Sequence, residues 1–218
     1  MDIFIVGAGA HGRVVLDILR DCGDDLSIQF ADDNKSLWGK TINGATVVSL
    51  REALFRKAGQ VGFVVSVGKP ALRLEMCQRV QDQGHALVNV IHPKAVVEAS
   101  ATMGVGNMIS PQAVVNSNAR LGNAVVVNTS VVVEHDCVVE DGVSISPAAC
   151  LGGRVTVGRG AFIAIGARIM ARVHIGAGSI VGAHSLVLED VPDHTLVFGS
   201  PARIRGLVDD AFDWGRVL

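Results

Sequence analysis

Aromatic residues are scarce in this 218-residue chain, which has no tyrosine, two tryptophans and seven phenylalanines. A core built on large rings is therefore excluded, and small and β-branched side chains must fill the interior. No apolar run reaches the length of about 20 residues that a membrane-spanning helix needs. Lysine and arginine together number 19, against 21 aspartates and glutamates. The chain thus lacks the basic excess of a nucleic-acid or membrane-surface binder, and we expect neither as a partner.

Cysteine is also sparse, and no two cysteines form a CxxC pair. The four cysteines are Cys22, Cys77, Cys137 and Cys150. This spacing argues against a disulfide framework and against a cysteine zinc site, and it suits a reducing cytoplasm. We therefore expect all four as small, buried, apolar side chains in a cytoplasmic protein.

A six-residue period dominates the second half of the chain. Every sixth residue from Val97 to Val187 is apolar, sixteen positions in a row, although only 49% of the chain is apolar. Such a run would arise by chance at roughly 10⁻⁵. Six residues suit one short strand and one turn, so three units close a triangular coil with the aliphatic residue inward. The period predicts a parallel β-helix over residues 97–188. Its leftover flat surface favours self-association into a homotrimer, with a capped monomer as the alternative.

The first ninety residues instead alternate strand-like and helix-like patterns, which is typical of a Rossmann-like parallel sheet. A glycine loop, Gly7-Ala8-Gly9-Ala10-His11-Gly12, follows the first strand, and a helix begins after it. We predict strands at residues 3–6, 27–31, 61–67 and 86–91, and a further helix at residues 71–83. The chain changes to hexapeptides before a second half-domain could form, so a nucleotide or nucleotide-linked sugar fits better than NAD.

The carboxyl ends of these strands carry the residues expected to bind a ligand, because ligands of open parallel sheets bind there. The glycine loop offers backbone N–H groups to phosphates or a sugar at the start of a helix. Asp32 and Asp33 can accept hydrogen bonds from ribose hydroxyls or a base, and the alternative is that they are solvated turn residues. The turn at Gly68 completes the crevice.

Four segments carry a resemblance to a known family. GAGAHGRVV and FADD precede NAVVVNTSVVVEHDC, and the repeats end in VFGSPARIRG. Over nearly the whole chain this combination resembles the bacterial sugar acyltransferases of the PglD/NeuD type. The resemblance implies a left-handed β-helix, acetyl-CoA as cosubstrate, and trimers with each active site between neighbouring subunits. It implies N-acetylation of a nucleotide-linked 4-amino-4-deoxy sugar. A sialic-acid O-acetyltransferase and a non-catalytic nucleotide-sugar-binding protein stay open as alternatives.

The resemblance also implies roles for individual residues. His135 matches the family's general base, and Asp136 matches the adjoining acid that raises its basicity. The nucleotide-sugar contacts would be Gly9, Ala10, His11, Asp32, Asp33 and Gly68. The acetyl-CoA contacts would be Ser144, Gly153, Ile165 and Ala183. Two of these depart from the family pattern: Ser144 replaces a ring side chain of some relatives, and Ala183 replaces a glycine. The implied domains are residues 1–92 for nucleotide-sugar binding, 93–206 for the acetyltransferase β-helix and 207–218 as a tail.

The chemistry of His135 can also be argued from its residue type. Acyl transfer from a thioester needs a base, and a neutral imidazole is available near pH 7. Either Asp136 or Glu134 could hold the other ring nitrogen, but a flat strand would turn both away, so His135 must lie near a corner. Gly153 is our candidate for the backbone N–H that stabilises the oxyanion. No His-x4-His pair is present, so we expect no zinc site of the kind found in prism-shaped carbonic anhydrases.

Overall fold

A six-stranded sheet and three helices form the first part of the computed structural model, which describes residues 2–23, 26–209 and 211–214. The strands are β1 (Asp2–Val6), β2 (Ser27–Asp32), β3 (Thr41–Ile42), β4 (Ala45–Ser49), β5 (Val61–Val65) and β6 (Ala86–Leu87). The helices are α1 (Ala10–Asp21), α2 (Leu50–Leu54) and α3 (Pro70–Asp82), and a 3₁₀ turn spans Lys35–Leu37. The strand order is β3-β4-β2-β1-β5-β6, and the pairs are parallel except for β3 with β4.

The central strands are apolar throughout because helices cover both faces of the sheet. β5 reads VGFVV and is buried at every position. One apolar cluster joins the sheet to α1, and a second joins it to α2 and α3. Three of the four predicted strands and both predicted helices are present with small shifts at their ends. β3, β4 and α2 were not predicted, although Asn43-Gly44, both with positive φ, is a typical hairpin turn between β3 and β4.

The second part is a parallel β-helix whose coils have three two-residue strands each. Each of the sixteen predicted inward residues is the second residue of such a strand, so the predicted register is confirmed. The first face contains Val90–Ile91, Met108–Ile109, Val126–Val127, Ser144–Ile145, Phe162–Ile163 and Ile180–Val181. The second face contains Val96–Val97, Val114–Val115, Val132–Val133, Cys150–Leu151, Arg168–Ile169 and Leu186–Val187. The third face contains Thr102–Met103, Arg120–Leu121, Val138–Val139, Thr156–Val157 and His174–Ile175. Their inward side chains form one continuous core.

The first face is covered at both ends and open in the middle. The first domain packs its apolar cluster on the outward side chains of Val90, Met108 and Val126. At the other end a hairpin, Thr195–Gly199 with Ala202–Leu207, extends the face, and Trp214 contacts Phe162 with ring centroids 6.0 Å apart. Ser144, between these two covers, therefore lies at the base of a cleft.

Two predictions need correction. The predicted strand at residues 86–91 is divided: Ala86–Leu87 ends the first sheet, and Val90–Ile91 pairs with the first face of the β-helix. Cys22 is exposed and Cys150 half-buried, so the expectation of four buried cysteines was wrong for these two. The domain boundaries at residues 92 and 206 stay predictions, as does the tail, of which 207–209 and 211–214 are described. No described helix has the length and apolarity to cross a membrane.

Candidate active site

His135 lies on the corner that joins the second face to the third. The strand Val132–Val133 ends just before it, and Asp136 has a φ of 57°, in the left-handed region. This turn, rather than a flat strand, lets neighbouring side chains meet. Nδ1 of His135 is 2.9 Å from Oδ2 of Asp136. Glu134 instead accepts a hydrogen bond from the backbone N–H of His135. Of the two acids left open by the sequence, Asp136 is therefore the partner of the ring.

The charge state of Asp136 fixes the tautomer of the imidazole. The hydrogen bond from His135 is the main cause that lowers the pKa of Asp136, and a second one comes from Asn118 Nδ2 at 3.3 Å. Arg154 adds an ion pair at 3.6 Å. An ionised carboxylate only accepts hydrogen bonds, so Nδ1 of His135 is the donor of this pair, and the neutral form of the ring has its lone pair on Nε2. The half-exposed ring thus presents a basic nitrogen to the solvent.

Gly153 lies directly against that nitrogen, one coil further along the same corner. A Cβ built on Gly153 would be 2.5 Å from Nε2 of His135. Among the described residues, the N–H of Gly153 has no hydrogen-bond acceptor, whereas the N–H of Arg154 is bound to the carbonyl of His135. A base with a free lone pair and an unused backbone donor therefore share a shallow groove, which Ala171 and Arg172 complete.

A second, larger site is the cleft over the first face, with a volume of about 490 Å³. It gathers five residues that the sequence predicted as ligand contacts: His11, Gly68, Ser144, Ile165 and Ala183. The remaining lining residues, which were not predicted, are Arg73, Val126, Asn128, Ile145, Ser146, Pro147, Phe162 and Ala164. His135 and Gly153 do not line this cleft. They lie on the corner between the second and third faces, and the second face separates that corner from the cleft.

The glycine loop beside the cleft is shaped by two glycines and one carboxylate. Gly7 has a φ of 100°, and a Cβ on Gly12 would collide with the carbonyl oxygen of Gly7, so α1 can approach the loop only without a side chain there. Oδ2 of Asp32 accepts a hydrogen bond of 2.8 Å from the N–H of Ala8. Asp32 therefore also organises the loop.

The other predicted sugar contacts are near this loop. Gly9 and Ala10, at the start of α1, are exposed, and the space beside Gly9 is open. Asp33 is exposed and lies 3.5 Å from Arg79. These three residues are accessible to a ligand at the strand ends, but none of them lines the cleft.

His11 and Arg73 give the cleft its electrostatic character. Nε2 of His11 is enclosed and has no hydrogen-bond partner. Burial is the main cause, and the charge of Arg73 the second, that lowers the pKa of His11 to about 4, so its ring is neutral at pH 7. Arg73 is almost fully buried, which lowers its pKa to about 10 and leaves it charged. No sequence pattern indicates this role, because an arginine on a helix is ordinarily a solvated residue.

Two family models match the chain. Residues 2–80 match the model described as the PglD N-terminal domain, and residues 154–189 match the bacterial transferase hexapeptide model of six repeats. A curated relative, the UDP-N-acetylbacillosamine N-acetyltransferase of Bacillus subtilis (strain 168), is 35% identical over 107 residues. That match covers 48% of this chain and 49% of the relative, so it spans about half the length of the curated protein.

Solved structures match over almost the whole length. PerB of Caulobacter crescentus, determined with CoA and GDP-perosamine, is 34% identical with a TM-score of 0.85, covering 94% of this chain and 98% of that one. The acetyltransferase domain of PglB from Neisseria gonorrhoeae FA1090, determined with acetyl coenzyme A, is 32% identical with a TM-score of 0.87 and the same coverage. The predicted fold, a Rossmann-like half-domain followed by a left-handed β-helix, is confirmed. This chain belongs to the hexapeptide-repeat family of PglD-type nucleotide-sugar N-acetyltransferases, which use acetyl-CoA.

Proposed function

We propose that this chain transfers the acetyl group of acetyl-CoA to the amine of a nucleotide-linked 4-amino-4-deoxy sugar, directly and with His135 as general base. The observation that carries the proposal is the His135–Asp136 pair, which directs the Nδ1 proton to the carboxylate and places Nε2 beside the free N–H of Gly153. Support also comes from PerB, whose structure was determined with CoA and a GDP-linked amino sugar.

Each group of the corner has a definable task. Nε2 of His135 takes the proton that the amine loses as its nitrogen bonds to the acyl carbon, while Asp136 stabilises the resulting imidazolium. The N–H of Gly153 is placed to donate to the acyl oxygen as negative charge develops on it. As the C–N bond forms, the C–S bond of the thioester breaks, and the departing CoA thiolate takes the proton back from the imidazolium of His135. No residue has to form a covalent bond with the acetyl group.

The cleft is suited to bind the two substrates side by side. Ile165 and Ala183 are exposed on the corner between the first and second faces, where an extended apolar arm can lie. Acetyl-CoA supplies the activated acetyl group, and Ser144 at the base of the cleft and Gly153 in the groove remain proposed contacts for it. The first domain approaches the cleft from the opposite side through His11 and Gly68. Gly9, Ala10, Asp32 and Asp33, at the strand ends, remain proposed contacts for the nucleotide.

The separation of the cleft from His135 supports a homotrimer. Both sites border the second face, whose outward side chains are largely apolar and are exposed or half-buried among the described residues. These side chains are Val96, Val114, Val132, Cys150, Arg168 and Leu186. Val96 is 49% exposed. If three copies pack by this face, the His135 corner of one copy meets the cleft of its neighbour, and the site is completed between them. A cytoplasmic location is proposed with it, because the four cysteines are free and such a compartment keeps thiols reduced.

Mixed oligomers test the shared site. His135→Ala removes the base, and Ile165→Trp blocks the cleft without touching the His135 corner. Each variant alone should be inactive with acetyl-CoA and a panel of UDP-, GDP- and dTDP-linked 4-amino sugars. Because each site takes its cleft from one copy and its base from another, equal co-expression should restore about a quarter of the sites. A mixture as inactive as its parents, with trimers shown by light scattering, would place both halves of the site on one copy.

The same panel, assayed alongside sialic acids, also decides between the proposed activity and its alternatives. CoA release that depends on an amino-sugar nucleotide supports N-acetylation. Release only with a sialic acid would support the O-acetyltransferase instead. Binding of nucleotide sugar without turnover, measured by calorimetry, would support a non-catalytic binding protein.

A further inference from the structure

Trp38 is an exposed aromatic side chain at the edge of the sheet where nucleotide contacts are proposed. It follows the 3₁₀ turn Lys35–Leu37 and is 41% exposed, although tryptophan is on average a highly buried residue. Its indole N–H donates to the backbone carbonyl of Asp32 at 2.8 Å. Because the polar edge of the ring is bound within the protein, the surface that remains exposed is apolar.

The pairing of β3 with β4 carries this ring to the carboxyl ends of the strands. β3 runs antiparallel to β4, and Gly39 and Lys40 continue that pairing through hydrogen bonds of 2.9 Å with Val47. The chain just before β3 therefore runs beside β4 toward the carboxyl end of β4. Since β4 lies between β3 and β2 in the sheet, the indole of Trp38 reaches across the end of β4 to the end of β2.

The face of this ring is uncovered in the part of the chain that the structure describes. Leu37 packs against the apolar cluster of α1, whereas Trp38 belongs to none of the apolar clusters of the described residues. The exposed rings of Phe55 and Phe198 each lie under an arginine guanidinium, at 5.5 and 5.0 Å. Among the described residues, no ring or guanidinium stacks on Trp38 in this way. A flat aromatic surface, held in place by its N–H, is therefore available to a ligand.

The order of the strand ends directs the base of a bound nucleotide toward this ring. Gly68 comes after β5 and lines the cleft, the glycine loop follows β1, and Asp32 ends β2. β1 is the one strand between β5 and β2, so the ends of β5 and β2 lie about 10 Å apart. With the sugar in the cleft and the diphosphate on the glycine loop, the ribose and base extend toward the end of β2 and Trp38.

The aspartates at the end of β2 can bind the polar parts of a nucleotide but not the face of its base. Both carboxylate oxygens of Asp32 already accept hydrogen bonds from backbone N–H groups, those of Ala8 and Asn34, each at 2.8 Å. Asp33 is exposed, and its carboxylate can accept from the N–H groups at the edge of a base. The apolar faces of the base need an apolar partner, and the exposed ring of Trp38 is one.

We propose that Trp38 is a specificity-determining residue that stacks on the base of the nucleotide-linked sugar and binds a purine more tightly than a pyrimidine. This deepens the proposed function and rests on it. Every base has a π face, so an aromatic side chain contributes to the binding of any of them. A purine has two rings and therefore covers more of the indole, which removes more apolar surface from water. The hydrogen bond to Asp32 fixes the ring before the ligand binds, so little side-chain entropy is lost.

Replacement of Trp38 tests contact with the base separately from contact with the rest of the nucleotide. The probes are GDP, UDP and ribose 5-diphosphate, which has no base, and calorimetry gives their dissociation constants. In the wild type, GDP should bind more tightly than UDP. In Trp38→Ala, GDP should lose at least about fivefold in affinity, UDP less than GDP, and ribose 5-diphosphate less than about twofold. The loss follows the base because a stacked ring contacts only probes that carry one.

Two further variants separate stacking from support of the loop. Trp38→Phe keeps an aromatic face but cannot donate to the carbonyl of Asp32, and its affinity for GDP should stay within about threefold of the wild type. Trp38→Leu keeps apolar bulk without a flat π face and should resemble Trp38→Ala. If Trp38 only held the loop through its N–H, Trp38→Phe and Trp38→Leu would weaken GDP equally, and ribose 5-diphosphate would weaken with it.

Fluorescence reports the stacking directly, because the chain has only two tryptophans, Trp38 and Trp214. Trp214→Phe leaves Trp38 as the single emitter and keeps a ring against Phe162. GDP should quench this emission, because a base in van der Waals contact quenches an excited indole, and ribose 5-diphosphate should leave it unchanged. Trp38→Phe, in which only Trp214 emits, is the matched control and should not respond to GDP.

Quenching decides the proposal even if Trp38→Ala does not fold. Unchanged Trp38 emission with GDP bound, or equal losses of affinity for GDP and ribose 5-diphosphate in a folded Trp38→Ala, would overturn it. Equal losses for GDP and UDP would overturn the preference for a purine. Acetylation of the nucleotide-linked sugars tells the two proposals apart. Turnover without quenching would leave the proposed function standing and remove this one. Quenching without turnover would do the reverse, and failure of every nucleotide and nucleotide-linked sugar to bind would overturn both.

Discussion

Nδ1 of His135 and Oδ2 of Asp136 are 2.9 Å apart, although the two residues are neighbours in a β-rich segment. In a flat strand their side chains would point to opposite faces. The left-handed φ of Asp136 removes that restriction. The neighbouring coil stabilises this backbone conformation, because the N–H of Asp136 donates to the carbonyl of Ser117. The corner therefore forms the acid–base pair that the strand could not.

Replacing this imidazole should abolish most of the activity without unfolding the protein. For His135→Ala we expect kcat to fall by about 10²–10⁴-fold, as removal of a general base does. The ring is half-exposed and contributes nothing to the β-helix core, so the melting temperature should stay close to that of the wild type. Steady-state kinetics and thermal denaturation measure both. His174→Ala, an exposed histidine on the third face, is the matched control. Turnover equal to the wild type would remove His135 from the mechanism.

Gly153 offers a test of ring placement rather than ring chemistry. In Gly153→Ala the new methyl group would lie within 2.5 Å of Nε2, so the imidazole must move. Misplacement of a base by about 1 Å can cost on the order of 10²-fold in rate. We expect kcat to fall by that order, with the dissociation constant of the nucleotide sugar unchanged. Gly206→Ala, where a Cβ meets nothing within 4 Å, controls for the glycine substitution itself. An unaltered kcat in Gly153→Ala would show that catalysis does not depend on the position of the His135 imidazole beside Gly153.

The β-helix could be predicted in detail because its register follows directly from the six-residue period of apolar side chains. Each inward residue, such as Ile145 or Leu151, belongs to a strand of two residues, and the six-residue spacing leaves no freedom in how coils stack. The first sheet was less predictable. β4 and β3 lie at its edge, and their short, mixed sequences lack a strong period. Val90–Ile91 looks continuous with Ala86–Leu87, and only tertiary pairing assigns it to the first face.

The candidate site was predictable where single residues carry the chemistry, and not where the fold brings residues together. His135 and Asp136 are adjacent in sequence, so their pairing needed only a corner. Arg73 reaches Ser144, which lies 71 residues away, and no sequence pattern links the two. Ser144 was predicted as a contact for acetyl-CoA, but its hydrogen bond with a buried guanidinium depends on how the first domain sits on the first face.

Asp32 should affect nucleotide binding through the loop that it holds. Asp32→Ala removes the acceptor of the Ala8 N–H and of the Asn34 N–H, so the glycine loop loses its fixed shape. We expect the KM for the nucleotide sugar to rise by at least about tenfold, the equivalent of 1.4 kcal/mol, with a smaller change in kcat. Asp17→Ala, which removes an exposed carboxylate from α1, serves as the control. If the KM for the nucleotide sugar does not change, the crevice binds something else.

The lowered pKa of His11 should make the folded protein sensitive to acid. In the unfolded chain this imidazole takes up a proton near pH 6.5, whereas the folded protein resists protonation until about pH 4. The unfolded state therefore binds more protons between these values, and the free energy of unfolding must decrease as the pH falls from 6.5 to 4. A shift of this size corresponds to about 3 kcal/mol at the acid end. His11→Gln cannot titrate, so urea denaturation at equal protein concentration should show its stability relative to the wild type improving by about that amount between pH 7 and pH 4. If the two proteins lose stability in parallel between pH 7 and pH 4, the environment of His11 does not resist protonation.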